Sequence, residues 1–402
     1  MAEYTGQFVR FDKSPLWEIH RNYFQTVGIK AWQKGHIPYS GVCNFTEAYK
    51  KARLFISNLN VSQPEGLIRV LEVGAGYGEF AKNFLSAFQA ICLAENLDYY
   101  ARLEYHLSDF SQITLDELKA SERLKEYQEH ISFIVFDALD KYSTLDKSSY
   151  DILFANYLLD QFPARIFAQT NKGYLEKYIS IEDPQPYIER QSKHQFAWNK
   201  NHWIKSLKKI IEFRNIDLNE EIPLADLEIL ENCFRQDKSS TVVYSYGALA
   251  AVKIFMQLIK PNGIIVCSDF NASTKPGVDQ FEPCYYGNSL AQAVNFEFIY
   301  KYFSQAGSLT EARKLNHLQQ GSLAHQIALI YEDPIKPLHT LILTRPDFSY
   351  PLELGEIYQA VYHQNWLIRL IYKFLVELQL GCYVLTIFIL AFIIRHCILD
   401  TF

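Results

Sequence analysis

The stretch Val70-Leu71-Glu72-Val73-Gly74-Ala75-Gly76-Tyr77-Gly78-Glu79-Phe80 constrains this chain more than any other. An apolar strand signal runs straight into glycines at alternate positions and then into a helical pattern. Glycines so placed let the backbone approach a ligand closely, where a Cβ would collide with it. Strand, glycine turn and helix in that order belong to a parallel sheet covered by helices. A dinucleotide site would set its third glycine one place later, where this chain has Glu79. A carboxylate there repels phosphates at the helix N-terminus, so nicotinamide and flavin binding are disfavoured.

The rest of the chain fits an α/β reading. Apolar runs predict strands at Ile68–Val73, Ala90–Ala94, Ser132–Phe136, Asp151–Ala155 and Gly263–Ser268. Between the first two, Phe80, Phe84, Leu85 and Phe88 recur at helical spacing and predict a helix over Gly78–Phe88. The connection from Asn156 to Gly263 far exceeds the ~30 residues of a simple crossover, so it carries an insertion. Within it lie His194, Phe196, Trp198, His202 and Trp203, a helical segment near Trp203–Phe213, a helix led by Pro223, and a crossover helix over Tyr246–Ile259. His194 and His202 lack a partner at metal spacing, and no metal site is read. A last strand is expected over Leu338–Thr344.

Composition narrows the partners. The net charge of -6 supplies no general attraction to nucleic acid. Seven scattered cysteines form no Cys-x-x-Cys pair, which points away from a disulfide framework. The polar N-terminus lacks the apolar run of a secretory signal, and a cytoplasmic location is the expectation.

Glu72-x-Gly-x-Gly-x-Gly is similar to the glycine loop of class I S-adenosylmethionine-dependent methyltransferases. Glu95 is read as closing the second strand, where a carboxylate can accept both ribose hydroxyls. Asp137 is read as closing the third, taking the adenine amino group while Ala138 offers its backbone N–H. Each acid alone could be a helix cap. The chain resembles the MidA-like family of such methyltransferases, relatives of an arginine methyltransferase acting in mitochondrial complex I assembly. The resemblance rests on the loop, on Glu95-Asn96-Leu97, on Ala155-Asn156-Tyr157-Leu158-Leu159-Asp160-Gln161-Phe162-Pro163, on Ser268-Asp269-Phe270 and on Val294-Asn295-Phe296. It implies a Rossmann-like methyltransferase sheet with a large insertion after strand 4 and a short C-terminal helical extension. The cofactor set is then Glu72, Gly74, Gly76, Gly78, Glu95, Asp137 and Ala138, holding S-adenosyl-L-methionine. Residues 1–66 would cover the cofactor site, 67–348 form the methyltransferase domain and 349–402 add the extension; the insertion, about 165–240, is read as a substrate lid ahead of a packing or oligomer element.

Departures from the family pattern bear on the acceptor. Tyr157 stands where the family has Glu, and Asn295 where it has Asp. A guanidinium needs carboxylates to orient it, so the lost glutamate weighs against an arginine acceptor. Asn156, Tyr157 and Asp160 are the residues expected to position an acceptor, Tyr157 by packing, because a phenol with pKa ~10 stays protonated at neutral pH. Asp160 could steer a cation, take its proton or simply cap the following helix. The aromatic residues Tyr285, Tyr286, Phe296, Phe298, Tyr300, Tyr302 and Phe303 could wall a pocket, though helical spacing favours core for most of them. A protein substrate is expected; the alternative is a non-enzymatic assembly module with a degenerate acceptor site.

The C-terminus stands apart. Leu352–His363 and Trp366–Leu378 read as amphipathic helices resembling one tetratricopeptide-type hairpin. Leu378–Ile394 carries no charge, and as a helix would reach only ~25 Å, the lower limit for crossing a bilayer. A truncated helical repeat is expected ahead of a membrane anchor, with a core helix third.

Overall fold

The computed structural model describes residues 7–33, 37, 40–140, 145–181, 204, 207–237, 241–270, 272, 282–305, 311–314, 324–330 and 339–343. The chain divides into two compact units, Met1–Pro346 and Asp347–Phe402. The second unit, with both expected C-terminal helices and the apolar tail, lies outside the described residues, as do His194 and His202. Among the described residues no helix is long and apolar enough to cross a membrane.

Along the chain the elements are β1 (Val9–Arg10), α1 (Pro15–Val27), α2 (Lys30–Gln33), α3 (Phe45–Ser62), β2 (Ile68–Val73), α4 (Glu79–Ala94), β3 (Leu103–Asp109), α5 (Gln112–Ala120) and β4 (Ile131–Val135). There follow β5 (Tyr150–Asn156), β6 (Arg165–Thr170), β7 (Gly173–Ile181), β8 (Lys209–Ile216), α6 (Leu224–Asp237), β9 (Thr241–Tyr244), α7 (Tyr246–Leu258) and β10 (Ile259–Phe270). The last are β11 (Cys284–Tyr286), β12 (Ser289–Ala291), α8 (Phe296–Gln305), β13 (Glu311–Lys314), β14 (Ala324–Ile330) and β15 (His339–Leu343).

The main sheet runs β13-β15-β14-β10-β5-β2-β3-β4. From β4 to β10 every pair is parallel, and β14 runs antiparallel to β10. The chain steps outward from β2 through β3 to β4, then returns to lay β5 on the other side of β2. Ligand crevices of open α/β sheets form at such reversals, outside the carboxyl ends of the strands. This is the Rossmann-like methyltransferase architecture the sequence implied. On one face α3 and α4 bury a phenylalanine stack: Phe55 on Phe88 at 5.7 Å, Phe88 on Phe84 at 5.6 Å, and Phe84 on Phe154 of β5 at 4.9 Å between ring centroids. Each fully buried ring contributes roughly 1.5–3 kcal/mol. The other face is covered by α7 and α8, through Phe255, Phe296 and Phe298.

Two expected elements change identity. Ala90–Ala94 is the last turn of α4, not a strand. Ile91 and Cys92 extend the buried face set by Phe80, Phe84 and Phe88, so the helical period continues through what looks like a short apolar run. The second strand of the domain is β3. Near Trp203–Phe213, Lys209–Ile216 forms a strand paired antiparallel with β7 in register Phe213 to Lys177. Its β-branched Ile210, Ile211 and Ile216 suit a ladder better than a helix.

The insertion builds a second, antiparallel sheet, β1-β7-β6-β9, with β8 on β7. Its register is pinned by a buried bidentate pair in which Arg165 donates to Glu176 at 2.6 and 2.7 Å. The expected helices at Pro223 and over Tyr246–Ile259 are present as α6 and α7.

Candidate functional site

A cavity of about 390 Å³ opens at the carboxyl ends of β2, β3, β4, β5 and β10. That lies in the roughly 300–1,000 Å³ range of small-molecule sites. Its floor is the glycine turn. Gly74, Gly76 and Gly78 have φ of +76°, +50° and +72°, a left-handed run that only glycine adopts at little cost. Gly74 and Gly76 line the cavity. Gly78 does not: a Cβ there would meet Leu118 at 2.9 Å, so its bare backbone serves helix packing. A Cβ on Gly76 would meet the indole of Trp32 at 3.0 Å.

Three carboxylates of the strand ends face this floor. Glu72 is buried, accepts the Tyr105 hydroxyl at 2.7 Å and has its pKa pushed up to about 8 by burial. Asp109 closes β3, accepts the backbone N–H of Gly76 at 3.2 Å and of Ser111 at 2.9 Å, and is pushed up to about 6 by burial. Asp137 follows β4, accepts the N–H of Leu139 at 3.1 Å and pairs with Arg21 of α1. Ala138 lies beside it.

Glu95 is not among them. It caps α4, is exposed, pairs with Arg53 and does not line the cavity. The expectation that it holds the ribose fails because the strand it was thought to close is a helix. Asp109 stands at that strand-end position instead. Its signal was available in Leu103–Asp109, where Leu103, Tyr105 and Leu107 alternate with polar residues as a half-buried strand should.

The other half of the cavity is formed at β5 and β10. Asn156 ends β5, and its Oδ1 accepts from Nζ of the buried Lys51 at 2.6 Å. Tyr157 has φ +49° and donates its N–H to the Ser268 carbonyl at 2.8 Å. Its ring lies 5.1 Å from that of Phe270, and Phe270 stacks on Tyr286 at 6.3 Å. Asp160 is buried against Asp269: its backbone N–H donates to Asp269 Oδ2 at 3.0 Å, and its Oδ1 accepts from Gln161 Nε2 at 2.5 Å. Burial first, then the Asp269 charge, drives the Asp160 pKa well up. Asp269 rises less, to about 7, because the backbone N–H groups of Asp160, Phe270 and Leu159 favour its charged form. Two carboxyls buried this close together disfavour a second charge.

The N-terminal helices supply the remaining wall through Trp17, His20, Arg21, Phe24 and Trp32. His20 is no base: burial lowers its pKa to about 3, and its Nδ1 accepts the Leu290 N–H at 3.0 Å. Among the described residues, none of 165–240 lines the cavity, and none forms a metal-holding group of His, Cys, Asp and Glu. Asn295 is also away from it. Its Oδ1 caps α8 by accepting the Phe298 N–H at 3.0 Å, while its Nδ2 donates to the Val243 carbonyl at 3.0 Å. An aspartate could do only the first, so this departure from the family pattern is structural. Of the aromatic run, Tyr286 lines the cavity, whereas Phe296, Phe298 and Phe303 are core.

S-adenosyl-L-methionine fits this donor set. Acids at three successive strand ends suit its ammonium, ribose and adenine groups, and the aromatic rings suit a sulfonium cation. A glycine floor that a Cβ would fill completes the cradle.

Comparison with known proteins agrees with the geometry. A family described as "Putative S-adenosyl-L-methionine-dependent methyltransferase" matches residues 52–309. Among solved structures, a Burkholderia thailandensis protein bound to S-adenosyl-homocysteine shares the fold at 16% identity and a TM-score of 0.50, covering 76% of this chain and 73% of that one. An uncharacterized Burkholderia thailandensis protein matches at 16% identity and 0.47, over 76% and 72%. The magnesium protoporphyrin IX methyltransferase of Synechocystis PCC 6803, with bound SAM, matches at 12% and 0.35, over 73% and 86%. No curated protein matches. The family match spans more than half of the sequence, and the chain belongs to this family of S-adenosyl-L-methionine-dependent methyltransferases.

Proposed function

We propose that this methyltransferase modifies a side chain of another protein. The observation that carries the reading is the cavity's size. At about 390 Å³ it sits near the small end of ligand sites, a size that suits the cofactor together with a slender acceptor such as a side chain. The bound cofactor supplies a methyl group already activated on a sulfonium. What the protein adds is alignment and the exclusion of water.

In this reading Glu72, Gly74, Gly76 and Asp109 hold the amino-acid and ribose portions, and Asp137 and Ala138 the adenine. Tyr157, Phe270 and Tyr286 form a dry aromatic wall at the acceptor end. Asn156 and Asp160 orient the acceptor. The Asp160–Asp269 pair can exchange a proton without ever carrying two charges. Asn295, one of the two residues that suggested a decayed acceptor site, is a helix cap and lends that alternative nothing.

Labelled S-adenosylmethionine, incubated with the protein and a cognate lysate, tests the proposal. Label should enter protein bands and be lost with Gly76→Val. Transfer confined to the small-molecule fraction would overturn it.

A further inference from the structure

Two side-chain amides at the acceptor end are held in one orientation each. Lys51 Nζ can only donate while it is protonated, so the atom of Asn156 that faces it at 2.6 Å must be Oδ1. Nδ2 is thereby turned away, and it is buried without a hydrogen-bond partner among the described residues. Four residues on, Asp160 Oδ1 accepts from Gln161 Nε2 at 2.5 Å, which fixes the Gln161 amide. Gln161 Oε1 is left buried and unpartnered. Both residues line the cavity. A buried polar atom without a partner costs about 1–3 kcal/mol, which a ligand that satisfies it recovers.

We propose that Asn156 and Gln161 together read a carboxamide side chain, its carbonyl oxygen accepting from Asn156 Nδ2 and its N–H donating to Gln161 Oε1, with Lys51 as the positioning residue that fixes the Asn156 amide. A guanidinium or ammonium group has no acceptor for Nδ2. Nor does Tyr157, standing where the family has Glu, offer it a carboxylate. A nucleobase edge offers a similar donor and acceptor, but the net charge of -6 opposes a polynucleotide. The inference rests on the proposed protein substrate and names its class.

The test titrates the protein saturated with S-adenosyl-homocysteine with N-acetylglutamine amide, N-acetylarginine amide and 9-methyladenine. The glutamine probe should bind about tenfold more tightly than the arginine probe at neutral pH, the scale of one hydrogen bond to a fixed buried group. The preference should vanish in Lys51→Met. It should also decline in the unmodified protein as pH rises through about 8, the value to which burial lowers Lys51 against the opposing pull of Glu47, Cys43, Glu72 and Cys267. Above that pH the neutral amine carries a lone pair and no longer dictates which end of the amide faces it. Equal or tighter binding of the arginine or adenine probe overturns the assignment, as does failure of the glutamine probe to bind, or a preference that ignores both pH and Lys51.

The lysate experiment separates the two levels. Acid hydrolysis frees label on a carboxamide nitrogen as methylamine but leaves methylarginine and methyllysine intact. Label recovered in those two residues would sink the substrate class and leave protein methylation standing. No labelled protein, with the glutamine probe binding as expected, would do the reverse.

Discussion

The two halves of the cavity are built differently. On the cofactor side, the β2 turn and the ends of β3 and β4 present polar groups that are already engaged. Gly74 and Ala75 donate to the Ser108 carbonyl at 2.9 Å, Gly76 donates to Asp109, and Asp137 accepts from Leu139. On the acceptor side, at β5 and β10, Asn156 and Gln161 keep unpartnered atoms, Tyr157 holds a left-handed backbone, and two carboxyls, Asp160 and Asp269, are buried together. The first half is a finished cradle in which shape does the work. The second retains unsatisfied groups and local strain, features that collect where a substrate is yet to be received.

The largest effect that tests this contrast comes from Gly76→Val. A β-branched side chain at φ +50° is strained, and its Cβ would press on Trp32 at 3.0 Å. Affinity for S-adenosyl-homocysteine should fall by at least about 100-fold, or ~3 kcal/mol, with cooperative unfolding retained. Unchanged affinity by calorimetric titration would mean that the cradle is not where shape decides binding.

Next in size, Asp109→Ala should weaken the same ligand by about 1.5–3 kcal/mol, the scale of a hydrogen bond to a charged group. An effect confined to the acceptor, with cofactor affinity intact, would move Asp109 out of the cradle and blur the comparison.

The same division separates what the sequence discloses from what it hides. The glycine turn is local: eleven consecutive residues contain strand, turn and helix start, so the cradle's floor is legible without any knowledge of the fold. Asp109 was legible in principle, but the apolar last turn of α4 imitated the strand that should precede it. The acceptor side depends on partners distant in sequence. Lys51 and Asn156 are 105 residues apart, Asp160 and Asp269 109 apart, and each pair meets only because α3 and β10 are laid beside β5. No spacing rule exposes such pairs. The insertion failed for a related reason: β8 is a strand because β7 is there to receive it.

A third prediction concerns the stability of the cradle without ligand. The folded-state pKa of Glu72 is raised, from 4.5 to about 8, so the folded protein binds a proton more tightly than the unfolded chain across that interval. Stability must then fall as pH rises through it. His20, lowered from 6.5 to about 3, acts in the opposite sense, but only below 6.5. Between about 6.5 and 8 the Glu72 contribution is therefore unopposed by that histidine, and the melting temperature of the ligand-free protein should decline. Glu72→Gln should reduce the decline, leaving the part that the raised Asp160 and Asp269 carboxyls contribute in the same sense. A profile that stays flat in the parent protein would show that Glu72 does not carry its burial as a proton.

The smallest effect belongs to Glu95→Ala, and its smallness is informative. Glu95 and Asp109 are both acids near the carboxyl end of the sheet's neighbourhood, and a reading from sequence assigns the ribose to the first. The fold assigns the position to the second, because α4 runs on to Ala94 and leaves Glu95 as an exposed cap paired with Arg53. Exposed ion pairs contribute little, since solvent screens them and two long side chains must be ordered to form them. Affinity for S-adenosyl-homocysteine should therefore stay within about twofold of the parent, against the much larger loss for Asp109→Ala. Titration of the two variants side by side decides the matter. A loss at Glu95 equal to that at Asp109 would mean that the end of α4 rearranges to meet the ligand, and that the cradle is not finished before the cofactor arrives.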